Sequence, residues 1–273
     1  MLRLKLLLFA FISISSSCYA AATSGPSFIL ETQSLSPYFS GYIGNGHFSL
    51  VSTPLAITDA PSYMAKIYDH GPDDVPRIAI IPAWNGIDIN NGEKWLSKIT
   101  PDQETITSYS QLIDMYQGIM QTKYHWKDGD KVTDIEVEAF VSRSNPNLAA
   151  IKLMIHPHYS GPLQLSFSLR DWPSPNRLPL ETMEKFQPGP NERIPRVWYP
   201  GNMIVKDHFS NVTDQGGRAS VISTAEGKTT TVAQVMEPRW SSDLNGLTIN
   251  TKTDEVNTEI KIGFHAEDKP YTF

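Results

Sequence analysis

Cysteine is almost missing from this sequence: 273 residues hold one, Cys18. A lone thiol closes no internal disulfide, so the core alone must hold the fold, and dithiol redox chemistry is excluded. Positive charge is also short, with 23 Lys and Arg against 29 Asp and Glu and a net charge of −6. That balance supplies no basic stripe to neutralise phosphates, which excludes a nucleic-acid partner. Beyond the first twenty residues no apolar run approaches the ~18 residues that span a bilayer. Also missing are a Gly-rich phosphate loop, a dinucleotide fingerprint and a G-x-S-x-G nucleophile elbow, so nucleotide and acyl chemistry have no carrier.

What is present begins with a leader. Arg3 and Lys5 form a positive start, Leu6 to Ile14 an apolar stretch, and Cys18-Tyr19-Ala20 ends in the small residue that a signal peptidase reads. Ser15-Ser16-Ser17 lacks the aliphatic residue expected before a lipidated cysteine. Residues 1–20 are therefore expected to be cleaved, which removes the only cysteine and leaves a secreted or periplasmic protein with no membrane segment. Residues 21–36 read as an N-terminal extension and 37–273 as one domain.

Hydrophobic residues make up 40 % of the chain, enough for a core, and twenty prolines and seventeen glycines cut it into short runs. Period-2 alternation marks half-buried strands at 135–141 and 163–169, while 149–155 and 260–264 read as further strands, the former buried. Lys127-Asp128-Gly129-Asp130, Ser144-Asn145-Pro146-Asn147 and Ser160-Gly161-Pro162 are turn signals between them. Together these predict an antiparallel meander from about 118 to 171. No run beyond about ten residues has helical period; Thr182 to Phe186 allows one turn between Pro179 and Pro188. Many short strands with frequent turns predict an all-β sandwich, and the Pro-rich stretch from Trp172 to Pro200 predicts a long surface loop.

Aromatic residues beside turn formers are the first chemical feature. Flat rings stack on the C–H face of sugars while Asn and Asp bind hydroxyls, so Trp84, Asn85, Trp95, Trp126, Asp171 and Trp172 are the candidate carbohydrate contacts. Trp198-Tyr199 has the same character, and core packing is the competing use of each ring. Glycoside hydrolysis needs two carboxylates across a sugar bond. Glu136 and Glu138 share a strand face at a spacing of ~6–7 Å, which a solvated polar face also produces; Asp73-Asp74, Asp114 and Asp171 have no marked partner. His156-Pro157-His158 is the nearest approach to a metal motif, but the sequence nominates no third ligand, so no metal or cofactor is expected. Asp128-Gly129-Asp130 offers too few oxygens for a calcium loop, and Asn211-Val212-Thr213 matches a glycosylation sequon.

Two segments stand out as motifs. The first runs Tyr42-Ile43-Gly44-Asn45-Gly46-His47-Phe48. The second runs Leu112-Ile113-Asp114-Met115-Tyr116-Gln117-Gly118-Ile119-Met120, through Tyr124-His125-Trp126 and Glu138-Ala139-Phe140-Val141-Ser142-Arg143, to Asn147-Leu148-Ala149-Ala150-Ile151. Together they resemble the N-terminal domain of glycoside hydrolase family 65, the group of acid trehalases, maltose and kojibiose phosphorylases and a collagen-disaccharide glucosidase. His47-Phe48-Ser49 departs from the family's Tyr-Leu-Gly. The resemblance covers about Pro37 to Phe264 and implies a large antiparallel two-sheet super-sandwich of the galactose-mutarotase type. It also implies that the general-acid glutamate lies in a following α/α-toroid domain; no motif for it is found here.

The expected function is therefore an exported, carbohydrate-associated sandwich domain, without catalytic residues of its own. It would bind a glucose-containing disaccharide or glycan, or support a separate catalytic domain, alone or as a homodimer. Two alternatives come from other classes. One is a self-sufficient sugar-active enzyme, a glycosidase using a pair such as Asp114 with Asp171, or a mutarotase-like epimerase. The other is a secreted protein-interaction module built on the 172–200 loop.

Overall fold

A computed structural model describes residues 28–57, 62–70, 76–81, 83–170, 201–202, 204–213, 216–225, 228–236, 248–251, 255–264 and 266–273. Its strands are β1 (Ile29–Thr32), β2 (Tyr42–Gly44), β3 (Phe48–Val51), β4 (Ser62–His70), β5 (Pro76–Ile81), β6 (Ala83–Asn90), β7 (Ile106–Asp114), β8 (Ile119–Asp128) and β9 (Lys131–Val141). They continue as β10 (Ala149–Pro157), β11 (Gly161–Arg170), β12 (Gly201–Asn202), β13 (Ile204–Thr213), β14 (Gly216–Ala225), β15 (Lys228–Met236), β16 (Thr248–Thr251), β17 (Glu255–Phe264) and β18 (Tyr271–Thr272). Among the described residues the longest helical piece is the 3₁₀ turn Leu96–Lys98. The protein is all-β.

One layer is a six-stranded sheet in the order β1-β7-β8-β9-β10-β18, every pair antiparallel. On its inner face Ile135, Val137, Ala139 and Val141 of β9 follow the predicted alternation and are buried, and Met120, Thr122, Tyr124 and Trp126 of β8 are buried beside them. Two sheets cover that face. The four-stranded sheet β16-β17-β11-β6 contributes Ile87, Ile89, Leu163, Leu165 and Phe167 to a core shared with Tyr124, Trp126, Ile135, Leu153 and Ile155. The five-stranded sheet β12-β5-β4-β3-β2 contributes Ile43, Phe48, Leu50 and Ile81 to a second core with Met120, Ala139 and Val141. A three-stranded sheet, β13-β14-β15, completes the set. This is the sandwich solution of two apolar sheet faces closed on one another.

Several expectations change in detail. The β8–β9–β10 meander forms, but β11 leaves it and pairs with β6 and β17 in the opposite layer. Strand 149–157 is half-buried, its outer positions accessible, because the sheet covers it on one face only. Residues 29–32, inside the predicted extension, form the edge strand β1 against β7. The predicted leader and the segment 171–200, with its predicted one-turn helix, lie outside the described residues.

Candidate functional site

The family-like motifs fold into joints. Asn45 Oδ1 accepts the amides of His47 (2.9 Å) and Phe48 (2.8 Å), while its Nδ2 donates to the carbonyls of Ser142 (2.6 Å) and Pro146 (3.0 Å). One side chain thus closes the β2–β3 turn and fastens it to the loop after β9. Asp114 Oδ1 accepts the amides of Tyr116 and Gln117, each at 2.9 Å, and Gly118 follows at φ +72° to turn the chain into β8. At 7 % exposure with that oxygen engaged, Asp114 is a turn anchor rather than half of a catalytic pair. Asp171, its suggested partner, lies outside the described residues, as do Trp172, Trp198-Tyr199 and Asp73-Asp74.

Four of the candidate sugar contacts, Trp84, Asn85, Trp95 and Trp126, lie among the described residues. Trp126 is 2 % exposed and sits in the main core, which corrects its assignment: a ring sealed between two sheets offers no face to a sugar. Asn85 is likewise buried at 7 %. Trp84 is half-buried and packs against Phe48, ring centroids 5.6 Å apart at 40°. Trp95 is half-buried where β6 passes into the 3₁₀ turn, bridged to Asn90. A cleft of about 330 Å³ lies at the β1–β7 edge, lined by Gln33, Leu35, Gln103, Ile106, Thr107, Ser108 and Tyr109, with none of the candidate tryptophans in its wall.

A group of polar side chains between the two cores is hydrogen-bonded. Gln111 Nε2 donates to Thr122 Oγ1 (2.9 Å) and to the Thr53 carbonyl (3.0 Å), and Tyr38 donates to Gln111 Oε1 (2.9 Å) while also bonding Ser52 Oγ. Burial pushes the Tyr38 hydroxyl up, against the lowering effect of its hydrogen bonds with Ser52 and Gln111. The group holds the chain between β3 and β4 against the six-stranded sheet and has no reactive member.

The outer face of β8, β9 and β10 carries charge in cross-strand rows. Glu136 and Glu138 are joined by one amide: Gln121 Nε2 donates to Glu136 Oε1 (2.7 Å) and Glu138 Oε1 (2.8 Å). Lys123 stands 3.3 Å from Glu136, and Lys152 3.0 Å from Glu138. Partial burial raises the Glu138 carboxyl, but the hydrogen bond and charge of Lys152, with Gln121 and Lys123, bring it below its ordinary range. The pair is a structural rung of the sheet surface.

The next row is different. Register sets His125 of β8 and His156 of β10 directly opposite Asp134 of β9. His158 Nε2 is 2.8 Å from Asp134 Oδ2, His156 Nδ1 is 3.9 Å from the same oxygen, and His125 Nε2 is 3.5 Å from Oδ1. Asp134, His156 and His158 each hold one potential ligand atom within 4.8 Å of the others. The third ligand absent from the local sequence is supplied by strand pairing.

Among the described residues no helix is long and apolar enough to cross a membrane. The family model for the glycosyl hydrolase family 65 N-terminal domain matches residues 42–272. A solved structure from the human microbiome, assigned as a kojibiose phosphorylase, is similar in fold, with a TM-score of 0.61 and 12 % identity. The match covers 85 % of this chain and 29 % of that one, so this chain spans under a third of its structural neighbour. No curated protein matches in sequence. The chain belongs to the glycosyl hydrolase family 65 N-terminal domain family.

Proposed function

We propose that this protein is an exported sandwich module that supports a catalytic partner acting on glucose-containing carbohydrate. The observation that carries the reading is the match of residues 42–272 to the glycosyl hydrolase family 65 N-terminal domain, a fold shared with a neighbour assigned as a kojibiose phosphorylase. A supporting role also agrees with the side chains. Asn45 and Asp114 are structural, and Trp126 and Asn85 are buried. What the six-stranded sheet does expose at its β1–β7 edge is an apolar group. Phe28, Leu30, Met115 and Tyr116 are between 44 % and 59 % exposed, with the Phe28 and Tyr116 rings 6.1 Å apart. Exposed apolar residues gathered at one edge suit a protein contact.

The test is capture of the tagged chain from its own host, followed by assay of the eluate on trehalose, maltose, kojibiose and glucosyl-galactose. Cleavage or phosphorolysis of one sugar is expected in the wild-type eluate and not with the folded double variant Phe28→Asp, Tyr116→Asp. An inactive wild-type eluate, or turnover by the purified chain alone, refutes the proposal. Heat on titrating the purified chain with these sugars would transfer the role to carbohydrate binding.

A further inference from the structure

We infer that the outer face of the six-stranded sheet carries a binding site for a divalent first-row transition ion, formed by Asp134, His156 and His158, with His125 behind the carboxylate. The inference stands on geometry independent of the proposed function. Side chains two apart on a strand share a face, and directly opposed residues on neighbouring strands bring their Cβ atoms to about 4.5–5.5 Å. Those two rules converge here. Asp134 is opposite His156, and His158 follows His156 on the same face, with the intervening Pro157 turned inward and buried. The His158 amide donates to the Val132 carbonyl at 2.8 Å, so the chain stays tied to β9 beyond the proline. The two imidazole rings are consequently 4.5 Å apart at 50°, both directed at one carboxylate oxygen.

The distances suit an ion. A tetrahedral centre with bonds of about 2.0–2.2 Å sets its ligand atoms about 3.3–3.5 Å apart. The two imidazole nitrogens stand 2.8 and 3.9 Å from Asp134 Oδ2, either side of that value, and small rotations of half-exposed rings would equalise them. Access is open, since the three side chains are 30–44 % exposed. The donor set selects the ion: two imidazoles and one carboxylate suit Zn²⁺, Co²⁺, Ni²⁺ or Cu²⁺, whereas Ca²⁺ and Mg²⁺ require oxygen cages. Three protein atoms leave a tetrahedral ion one position for water or an incoming ligand. His125, 3.5 Å from Asp134 Oδ1, is placed to orient the carboxylate from behind, as outer partners of metal ligands do. The nearest carboxylate along β9, Glu136, is already held by Gln121 and Lys123 and does not compete.

The experiment is calorimetric titration of the tag-free protein with Zn²⁺, with Co²⁺ absorption as a second readout. One ion per chain is expected, with the visible bands of a tetrahedral nitrogen–oxygen site. Asp134→Asn and His158→Ala should each weaken binding by more than tenfold, and His125→Ala by about tenfold, the usual effect of an outer partner. His47→Ala, at a histidine on the other layer, should leave binding unchanged. Because the ligands are solvent-facing, the variants should melt with the wild type in the absence of metal, which separates lost binding from lost fold. No heat and no cobalt bands, stoichiometric binding that survives in the Asp134→Asn, His156→Ala double variant, or equal affinity for Mg²⁺ would each overturn the inference.

Discussion

Replacing Asn45 by alanine asks whether the Gly44-Asn45-Gly46 motif serves architecture or ligand. The side chain makes four hydrogen bonds, two inside the β2–β3 turn and two to the Ser142 and Pro146 carbonyls. Each is worth about 0.5–1.5 kcal/mol net, and leaving a partner buried and unpaired costs more. Pro146 is exposed, so water replaces the bond to its carbonyl, whereas the Phe48 amide belongs to a buried residue. The expected loss is about 2–3 kcal/mol, or a melting temperature lowered by roughly 5–10 °C for a domain of this size. Asn45→Asp sharpens the test. It keeps the acceptor for His47 and Phe48 but sets a carboxylate oxygen where the amide donated to two carbonyls. Repulsion raises the folded-state pKa of such a group, so Asn45→Asp should be no better than Asn45→Ala at neutral pH and should recover as pH falls, once the acid can donate. Differential scanning calorimetry from pH 4 to 8 reads both effects. A melting temperature for Asn45→Ala within about 1 °C of wild type would refute the architectural role.

Other perturbations probe the sandwich. Gly92 has φ +91°, and a Cβ there would meet Pro162 Cγ at 2.8 Å, so Gly92→Ala should cost about 1–3 kcal/mol by urea melt. Trp126→Ala should cost about 3–5 kcal/mol, because a fully buried ring in the shared core leaves a cavity. The tyrosines give the alkaline limit. Burial first, then neighbouring phenols, raises Tyr109 and Tyr124, while desolvation and the hydrogen bond to Asp268 push Tyr271 up to about 12. Folded-state values above the ordinary value near 10 mean that this stability is complete below pH 10 and is lost as pH climbs toward 12. The urea midpoint should therefore hold up to about pH 9.5 and fall beyond it. Mass spectrometry of the protein purified from its host should find a mature start at Ala21, the outcome that tests the proposed export.

Much of the sandwich is legible in one dimension because strand pattern is local. Tyr124 and Trp126 alternate with Lys123, His125 and Lys127, and the structure buries the first pair and exposes the second set. That phase already marks Trp126 as a core residue; grouping it with the turn-side tryptophans ignored its own strand. What local pattern cannot carry is the choice of partner. β11 has the same alternation as β9, yet it crosses to the other layer because its neighbours are distant in sequence: β6 (Ala83–Asn90) lies well before it and β17 (Glu255–Phe264) well after it. Edge strand β1 was missed for a related reason. Its four residues, Ile-Leu-Glu-Thr, have too few periods to register, and only pairing with β7 makes them a strand.

The histidine row shows how far a correct turn can be taken. Once Asp128 pairs with Lys131 across the Gly129-Asp130 turn, antiparallel register puts Gln121 against Glu138, Lys123 against Glu136 and His125 against Asp134. The loop at 142–148 then decides what faces β9 from the far side, and it sets Lys152 at Glu138 and His156 at Asp134. Neither step needs the three-dimensional structure, only the period of a strand and the length of a turn. The His156-Pro157-His158 triplet is incomplete in local sequence because its remaining ligand, Asp134, lies across the sheet. A one-residue slip in either hairpin would move Asp134 to the buried face and dissolve the cluster, so the register that seals Trp126 and Ile135 inside is also what assembles the two imidazoles around one carboxylate outside. Core and candidate site are two faces of the same pairing.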